Sequence, residues 1–144
     1  MAHGSCLCGK VTYEAAIPVD ASGKRRETHL CHCRMCRKIT SAYTSANLDV
    51  PASDFHLTSG ELKRIRTTHA DDGFEFSILF CPDCGSAIYA EPHIEGWNDV
   101  VIIQAGTLDD PVEILEARPA VELNTKCRMP WIAKVEGAQQ KEGY

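Results

Sequence analysis

The sequence predicts a small, mostly β single domain, and three observations support this fold class. Short segments in which apolar residues recur at every second position are separated by clusters of Gly, Pro, Asn and Asp. The length of 144 residues and the apolar share of 44% suit one domain with a modest core. Seven of the eight cysteines stand in tight groups, as expected where metal ions reinforce a small core.

Alternation of apolar and polar residues defines the first predicted strand, over residues 11–17. The polar stretch 20–27 then reads as a loop. We expect residues 39–45 to be extended, although a helical turn over residues 34–38 is a competing interpretation. Residues 49–54 are predicted to form a turn, since they combine Pro, Ser and Asp.

The clearest strand covers residues 74–80, because aromatic and aliphatic side chains occupy every second position there. Further strands are predicted at residues 61–68, 86–91 and 100–105, with turns at residues 59–60, 70–73, 95–99 and 109–111. Many short strands joined by turns are typical of a mostly β architecture.

Charge and apolar patterning exclude some classes of function. The net charge of −5 argues against a nucleic-acid binder, which normally has a basic balance. The first five residues lead into Cys6 without the apolar stretch of a secretory signal. The most apolar run, residues 100–103, is far too short to cross a bilayer. We therefore expect a cytoplasmic protein with neither a nucleic-acid nor a membrane partner.

Cysteine spacing favours metal binding over disulfides. Thiolates separated by one or two residues can bind one ion together, and no feature of the sequence indicates an oxidising compartment. The groups are Cys6-x-Cys8, Cys31-x-Cys33-x-x-Cys36 and Cys81-x-x-Cys84. The remaining cysteine, Cys127, is expected to be a small buried apolar residue without a role in metal binding.

Two of these groups, Cys6/Cys8 and Cys81/Cys84, have the form of zinc-knuckle turns that end in glycine. Together they offer four thiolates, which is the closed tetrahedral set of a structural zinc site. A shared ion would tie the N-terminal strand to the hairpin around residues 74–91. The alternative is two redox-active or merely buried thiol pairs.

The group Cys31, Cys33 and Cys36 offers three thiolates within six residues. Three protein ligands with one open position are typical of a catalytic zinc, which can take water or a substrate thiol. Two alternatives remain: the seven cysteines could be distributed differently, or His29 or His93 could close the site.

The residues around this group leave further alternatives open. We expect His32, which lies between two ligands, to point away from an ion that both bind. Arg34, Arg37 and Lys38 could offset the charge of the thiolates and attract an anionic substrate. They could equally be ordinary solvated surface charges.

Five segments together resemble the glutathione-dependent formaldehyde-activating enzyme family, also called the CENP-V/GFA domain. They are residues 4–11 (GSCLCGKV), 31–38 (CHCRMCRK), 80–86 (FCPDCGS), 106–110 (GTLDD) and 130–131 (PW). The resemblance implies an Mss4-like fold of several coiled antiparallel sheets stapled by zinc. It implies one zinc domain over residues 4–135 and leaves residues 136–144 as a polar tail.

The same resemblance assigns roles to the cysteines. It implies a structural zinc held by Cys6, Cys8, Cys81 and Cys84, and a catalytic zinc held by Cys31, Cys33 and Cys36. The second ion is expected to be partly occupied, because accessible thiolates lose zinc or oxidise. The activity implied is that of a carbon–sulfur lyase or synthase, which joins glutathione and formaldehyde into S-hydroxymethylglutathione or cleaves the product.

Three functions therefore compete. The first is an enzyme that activates a small thiol, such as glutathione, for addition to an aldehyde, or catalyses the reverse cleavage. The second is a non-catalytic, zinc-stabilised module that binds a thiol metabolite or a protein partner. The third is redox sensing by the same cysteines, which predicts zinc release and disulfide formation under mild peroxide.

Overall fold

The computed structural model describes residues 1–19, 21–23 and 26–144 of the chain. Of the predicted loop at 20–27, Asp20, Lys24 and Arg25 lie outside the described residues. The mostly β prediction is confirmed, because strands dominate and pair mainly antiparallel. Among the described residues, no helix has both the length and the apolar character needed to cross a bilayer.

The described elements are short. The strands are β1 Ala2–Ser5, β2 Thr12–Ala15, β3 His29–Cys31, β4 Ser45–Pro51, β5 Phe55–Ser59, β6 Lys63–Thr68, β7 Glu75–Phe80, β8 Ala87–Pro92, β9 Val100–Gln104, β10 Leu108–Asp110, β11 Val121–Leu123 and β12 Gln139–Gln140. The α-helices are α1 Arg34–Thr40 and α2 Glu113–Glu116, and 3-10 turns cover Ala52–Asp54, Ala105–Thr107 and Thr125–Cys127.

These strands form two sheets. The four-stranded sheet has the order β10-β1-β2-β5 and is antiparallel throughout. The eight-stranded sheet has the order β12-β11-β3-β4-β9-β8-β7-β6. Its pairings are antiparallel except at one edge, where β11 runs parallel to both β3 and β12. Strands distant in the sequence are therefore neighbours at that edge.

Several local predictions hold and three are wrong. Strands are present within or beside the segments predicted at 11–17, 61–68, 74–80, 86–91 and 100–105. Residues 39–45 are not extended as a whole, because α1 continues to Thr40, Ser41 has a left-handed φ of 54° and β4 begins at Ser45. The competing helical turn over residues 34–38 is the correct interpretation.

The other two errors are predicted turns that belong partly to strands. Residues 49–51 continue β4, because Asp49, Val50 and Pro51 pair with β9 and the Val50 side chain is completely buried. Residues 109 and 110 belong to β10, which pairs with β1 at the other end of the chain. Residue types that favour turns can belong to a strand when pairing with a distant strand and burial of an adjacent side chain stabilise the extended backbone.

The main core combines residues of both sheets. Tyr13 of β2 stacks on Phe55 at a centroid distance of 4.9 Å, and Phe55 lies 4.7 Å from Tyr89 of the larger sheet. The hydroxyl groups of Tyr13 and Thr107 are hydrogen-bonded at 2.7 Å. At Gly4, an added Cβ would meet the tip of Tyr13 at 2.3 Å and a backbone oxygen at 2.6 Å. Only glycine at position 4 therefore lets β1 lie this close to the Tyr13 ring and the backbone of Thr107.

We expect Gly4→Ala to lower the free energy of unfolding by about 1–3 kcal/mol, the usual cost of overpacking a core. Chemical denaturation followed by circular dichroism measures this change. Gly106→Ala is the matched control, because an added Cβ at Gly106 meets no atom within 4 Å. Equal stability of the two variants would contradict the packing argument.

A buried polar network ties residues near the C-terminal end of the chain to the sheet. His32 Nε2 donates to Glu122 Oε1 at 2.8 Å, and both side chains are almost completely buried. Glu122 Oε2 accepts hydrogen bonds from Val135 N at 2.8 Å and Gln140 Nε2 at 2.7 Å. Burial would raise the pKa of Glu122, but these bonds and the charge of Arg128 lower it below its ordinary value.

We expect Glu122→Leu to cost about 3–5 kcal/mol of stability, because buried donors would lose their acceptor. Glu122→Gln keeps one acceptor oxygen and should cost less, about 1–3 kcal/mol. Denaturant midpoints of the two variants measure the difference.

The contribution of the Glu122 carboxylate to the free energy of unfolding should also depend on pH. Because the folded-state pKa of Glu122 lies below the ordinary 4.5, its stabilisation is complete above that value and is lost as pH falls through the folded-state pKa. The gap in stability between the wild type and Glu122→Gln should therefore close in acid. A gap that widens in acid would contradict the assigned ionisation.

Candidate metal centre

The structure gathers four sulfur atoms at the junction of the two sheets. The Sγ atoms of Cys6, Cys8, Cys81 and Cys84 all lie within 4.8 Å of one another. Two of the separations are 3.5 Å, from Cys6 to Cys8, and 3.8 Å, from Cys8 to Cys81. Sulfur atoms bound tetrahedrally at about 2.3 Å from zinc are about 3.8 Å apart. This first cluster therefore has the spacing that one zinc ion requires.

The two turns that supply these sulfurs share one backbone pattern. In each, the N–H of the first cysteine, Cys6 or Cys81, donates at 3.0 Å to the carbonyl five residues later. The N–H of the closing glycine donates back to the carbonyl of that cysteine at 2.9 Å. Gly9 and Gly85 have φ values of 75° and 76°, which disfavour any residue with a Cβ. The sequence thus specifies each turn locally.

The first cluster also spans the fold. Cys6 and Cys8 follow β1 of the smaller sheet, whereas Cys81 and Cys84 lie between β7 and β8 of the larger sheet. A hydrogen bond of 3.0 Å from Leu7 N to the hydroxyl of Ser86 joins the two turns directly. A metal ion at this position would tie the two sheets together.

A second cluster contains Cys31, Cys33 and Cys36, whose sulfurs also lie within 4.8 Å of one another. Cys31 ends β3, and Cys33 caps α1 by accepting the N–H of Cys36 on its sulfur at 3.2 Å. The cap fixes the helix start, so that Cys36 in the first turn faces back toward Cys33. Asn124 is buried and has a left-handed backbone conformation, and its side-chain Nδ2 donates a hydrogen bond to Cys31 Sγ at 3.5 Å.

Within the described residues, no histidine joins the second cluster. His32 turns to Glu122 instead, as expected for a residue between two ligands. His29 Nδ1 lies 3.8 Å from a carboxylate oxygen of Asp49, and His93 Nε2 is hydrogen-bonded to Ser77 at 2.8 Å. Closure by His29 or His93 is therefore not observed. Cys127 is half-buried and belongs to neither cluster.

Thiol–thiol hydrogen bonds place a negative charge in the second cluster. Those from Cys31 and Cys36 lower the pKa of Cys33 far below its ordinary value. The same bond to Cys33 raises the pKa of Cys31 to about 11, and both neighbours raise that of Cys36 strongly. Because adjacent thiolates repel, one ionises and the others stay protonated. A divalent cation would favour ionisation of all three.

The first cluster behaves similarly. For Cys8, the backbone N–H of Lys10 favours the thiolate, but the neighbouring Cys6 and burial outweigh it and raise the pKa to about 11. Hydrogen bonds from the hydroxyl and backbone N–H of Ser86 lower the pKa of Cys84 to about 5. Each cluster thus already contains a thiol poised to bind a cation.

Three polar residues in this part of the fold were missed by the sequence analysis. They are Asn124, which donates to the sulfur of Cys31, and Tyr144 and His69, which are hydrogen-bonded to each other at 2.9 Å. None of them stands in a cysteine motif, and Tyr144 is 111 positions from Cys33 in the chain. Only the left-handed Asn124 carries a local signal, because Asn tolerates that conformation better than most residues.

An open groove of about 340 Å³ lies between α1 and the larger sheet. Met35 and Ile39 of α1 form one wall, and Phe76 and Ile78 of β7 line the other. Met35 stands directly before Cys36 in the chain, but none of the seven clustered cysteines lines the groove. One of the positive charges of α1 is paired within the protein, because Arg34 forms a 2.8 Å ion pair with Asp71.

Comparison with solved structures identifies a similar fold. The chain is similar to a protein of Rhodobacter sphaeroides of known crystal structure, with a TM-score of 0.57 and 18% sequence identity. The match covers 81% of this chain and 97% of that one, and it shows a shared fold. A search of curated proteins gives no match.

A sequence model of the family described as glutathione-dependent formaldehyde-activating enzyme (GFA) matches residues 1–127. The matched region contains both cysteine clusters and most of the strands of both sheets. The chain therefore belongs to the GFA family.

Proposed function

We propose that this protein is a zinc-dependent carbon–sulfur lyase or synthase, which activates a small thiol for addition to an aldehyde or cleaves the adduct. The observation that carries the proposal is the contrast between four sulfurs in one cluster and three in the other. Four cysteines complete the tetrahedral coordination of zinc, whereas three leave one position for an exogenous ligand. The family name supports glutathione and formaldehyde as the substrate pair.

The two clusters have different roles in this proposal. Cys6, Cys8, Cys81 and Cys84 hold a structural ion, which is supported by their position between two sheets. Cys31, Cys33 and Cys36 form the catalytic site. Zinc bound there would supply a fourth position for the substrate thiol and would favour its thiolate form at neutral pH.

Residues of this chain tune the catalytic cluster. The N–H of Cys36 and the side-chain amide of Asn124 donate to sulfur atoms, which holds the cysteines in one arrangement and disperses their charge. Arg37 adds a half-buried cation beside Met129. A positive charge on this helix suits an anionic thiol such as glutathione.

Metal binding should release protons and strengthen with pH. Because the raised pKa values keep Cys31 and Cys36 protonated at neutral pH, these thiols must lose protons to become ligands. Affinity for zinc, measured by chelator competition, should fall as the pH is lowered from about 8 to about 6, by roughly tenfold per pH unit for each proton displaced. Zinc affinity independent of pH would contradict thiol ligation.

We expect Cys33→Ser to reduce thiol–aldehyde turnover by more than about 100-fold while the first cluster keeps its ion. The assay follows formation and cleavage of S-hydroxymethylglutathione, with zinc content measured on the same sample. Cys127→Ser makes the same atomic change outside both clusters and is the matched control.

The result also separates the enzyme from the competing functions. A wild-type protein that binds two zinc ions and glutathione without any turnover would be the non-catalytic binding module. A protein that releases zinc and forms disulfides under mild peroxide, again without turnover, would be a redox sensor. Either outcome would contradict the proposed activity.

A further inference from the structure

The groove between α1 and the larger sheet is lined almost entirely by apolar groups. Six aliphatic or aromatic side chains form its walls, together with the small residues Gly85 and Ala87. The six are Met35, Ile39, Ile65, Phe76, Ile78 and Phe80. Its volume of about 340 Å³ lies at the lower end of the range for small-molecule pockets, which is about 300–1,000 Å³. The groove therefore has the size of a small ligand.

Strand pairing makes the groove long and apolar. Ile65 of β6 stands opposite Ile78 of β7, and Thr67 stands opposite Phe76, so these side chains share one face of the sheet. Along β7 the lining runs from Phe76 to Phe80, which is about 14 Å at about 3.4 Å per residue. A groove of this shape fits an extended chain better than a compact ring.

One wall of the groove is open to solvent. Phe76 and Ile78 are each only 5% exposed, because α1 and the neighbouring strands cover them. Ile65 is 49% exposed, since β6 is the edge strand of the larger sheet. An apolar side chain exposed beside a preformed apolar groove marks a place where a ligand can bury further surface.

The charge beside the groove is positive. Lys38 of α1 is the single charged residue that lines it, and Lys38 has no ion-pair or hydrogen-bond partner among the described residues. Lys63 stands opposite Phe80, so its exposed side chain leaves the sheet on the same face. No Asp or Glu lines the groove. A ligand with a negative group at one end therefore complements it.

A second copy of this chain is a poorer occupant. Edge strand β6 carries Lys63, Arg64 and Arg66 within four residues. If two copies of β6 paired antiparallel, these cations would lie close to one another across the interface, and like charges in opposite positions are destabilising. The same positive charges favour an anion.

We propose that this groove binds a free medium-chain carboxylic acid, with its hydrocarbon chain along β7 and its carboxylate at the ammonium of Lys38. A chain of about eight to ten carbons, with bonds of about 1.5 Å, covers most of the length of the lining. The stem of Lys38 can pack on apolar surface while its ammonium stays in water, where the carboxylate would meet it. No clustered cysteine lines this site, so the inference is independent of the proposed function and goes beyond it.

Methionine methyl groups report on the groove directly. The chain has three methionines, Met1, Met35 and Met129, and only Met35 lines the groove. In the full-length chain labelled with methyl-¹³C methionine and supplied with zinc, titration of sodium octanoate should shift the Met35 resonance saturably and leave the other two in place. From hexanoate to octanoate, affinity should rise by about two- to fourfold for each added CH₂ group.

Variants of Lys38 test the charge. Lys38→Gln should weaken octanoate binding by about two- to fivefold, the range for an exposed ion pair, and should leave binding of the neutral octanol unchanged. Lys134→Gln makes the same change at another exposed lysine, outside the groove, and is the matched control. Octylamine that binds as tightly as octanoate would overturn the assignment of an anionic ligand.

Variants of Ile65 test the apolar wall. Ile65→Glu should weaken octanoate binding by more than about tenfold, because it removes apolar contact and adds a negative charge. Leu57→Glu makes the same change at an exposed position of the smaller sheet and should have no effect. A wild-type Met35 resonance that octanoate does not shift would overturn the proposal. A resonance that instead shifts when the protein alone is diluted would also overturn it, because a second copy would then cover the groove.

Discussion

The constraint on which the fold depends is the gathering of seven sulfur atoms into two groups, each within 4.8 Å. Neither group comes from one secondary-structure element. The first joins turns of two different sheets, and the second joins the end of a strand to the start of a helix. In a chain of 144 residues the apolar core is modest, so a metal ion bound by either group would have a large effect on stability. The strand order brings these turns together.

The two clusters differ in how their environment treats charge. In the first, the N–H of Val11 donates to the sulfur of Cys6 at 3.3 Å, and the hydroxyl of Ser86 lies 3.3 Å from the sulfur of Cys84. In the second, the donors come from separate parts of the chain, namely the N–H of Cys36 in α1 and the side-chain amide of Asn124.

At one edge of the larger sheet, a buried hydrogen bond joins strand β11 to the loop that carries the second cluster. Strand β11 runs parallel to β3 and carries Glu122, which holds His32 between two cysteines of the second cluster. The adjacent β12 leads to Tyr144. The cysteine loop and the residues of β12 therefore depend on the same short network around Glu122. Parallel pairing makes this possible, because it places residues from distant parts of the chain side by side.

The amino-acid sequence determined the local turns, most of the strands and the identity of the seven cysteines that form the two clusters. These features depend on near neighbours: alternation defines β7, and a glycine three or four residues after a cysteine closes each knuckle. The sequence also identified the family, since its motifs stand in a fixed order. Its errors at residues 39–45, 49–51 and 109–110 arose where a cap or a distant partner outweighed local propensity.

Only the tertiary structure decided which groups surround the second cluster. Asn124, His69 and Tyr144 belong to no motif, and they meet Cys31 or one another through strand pairing and ring packing. Likewise, the sequence predicted that His32 points away from the cluster, but only the fold identified its partner as Glu122, 90 positions away. The physical reason is that the spacing of ligands is a property of one turn, whereas the donors that tune a site are supplied by whichever strands the sheet order makes adjacent.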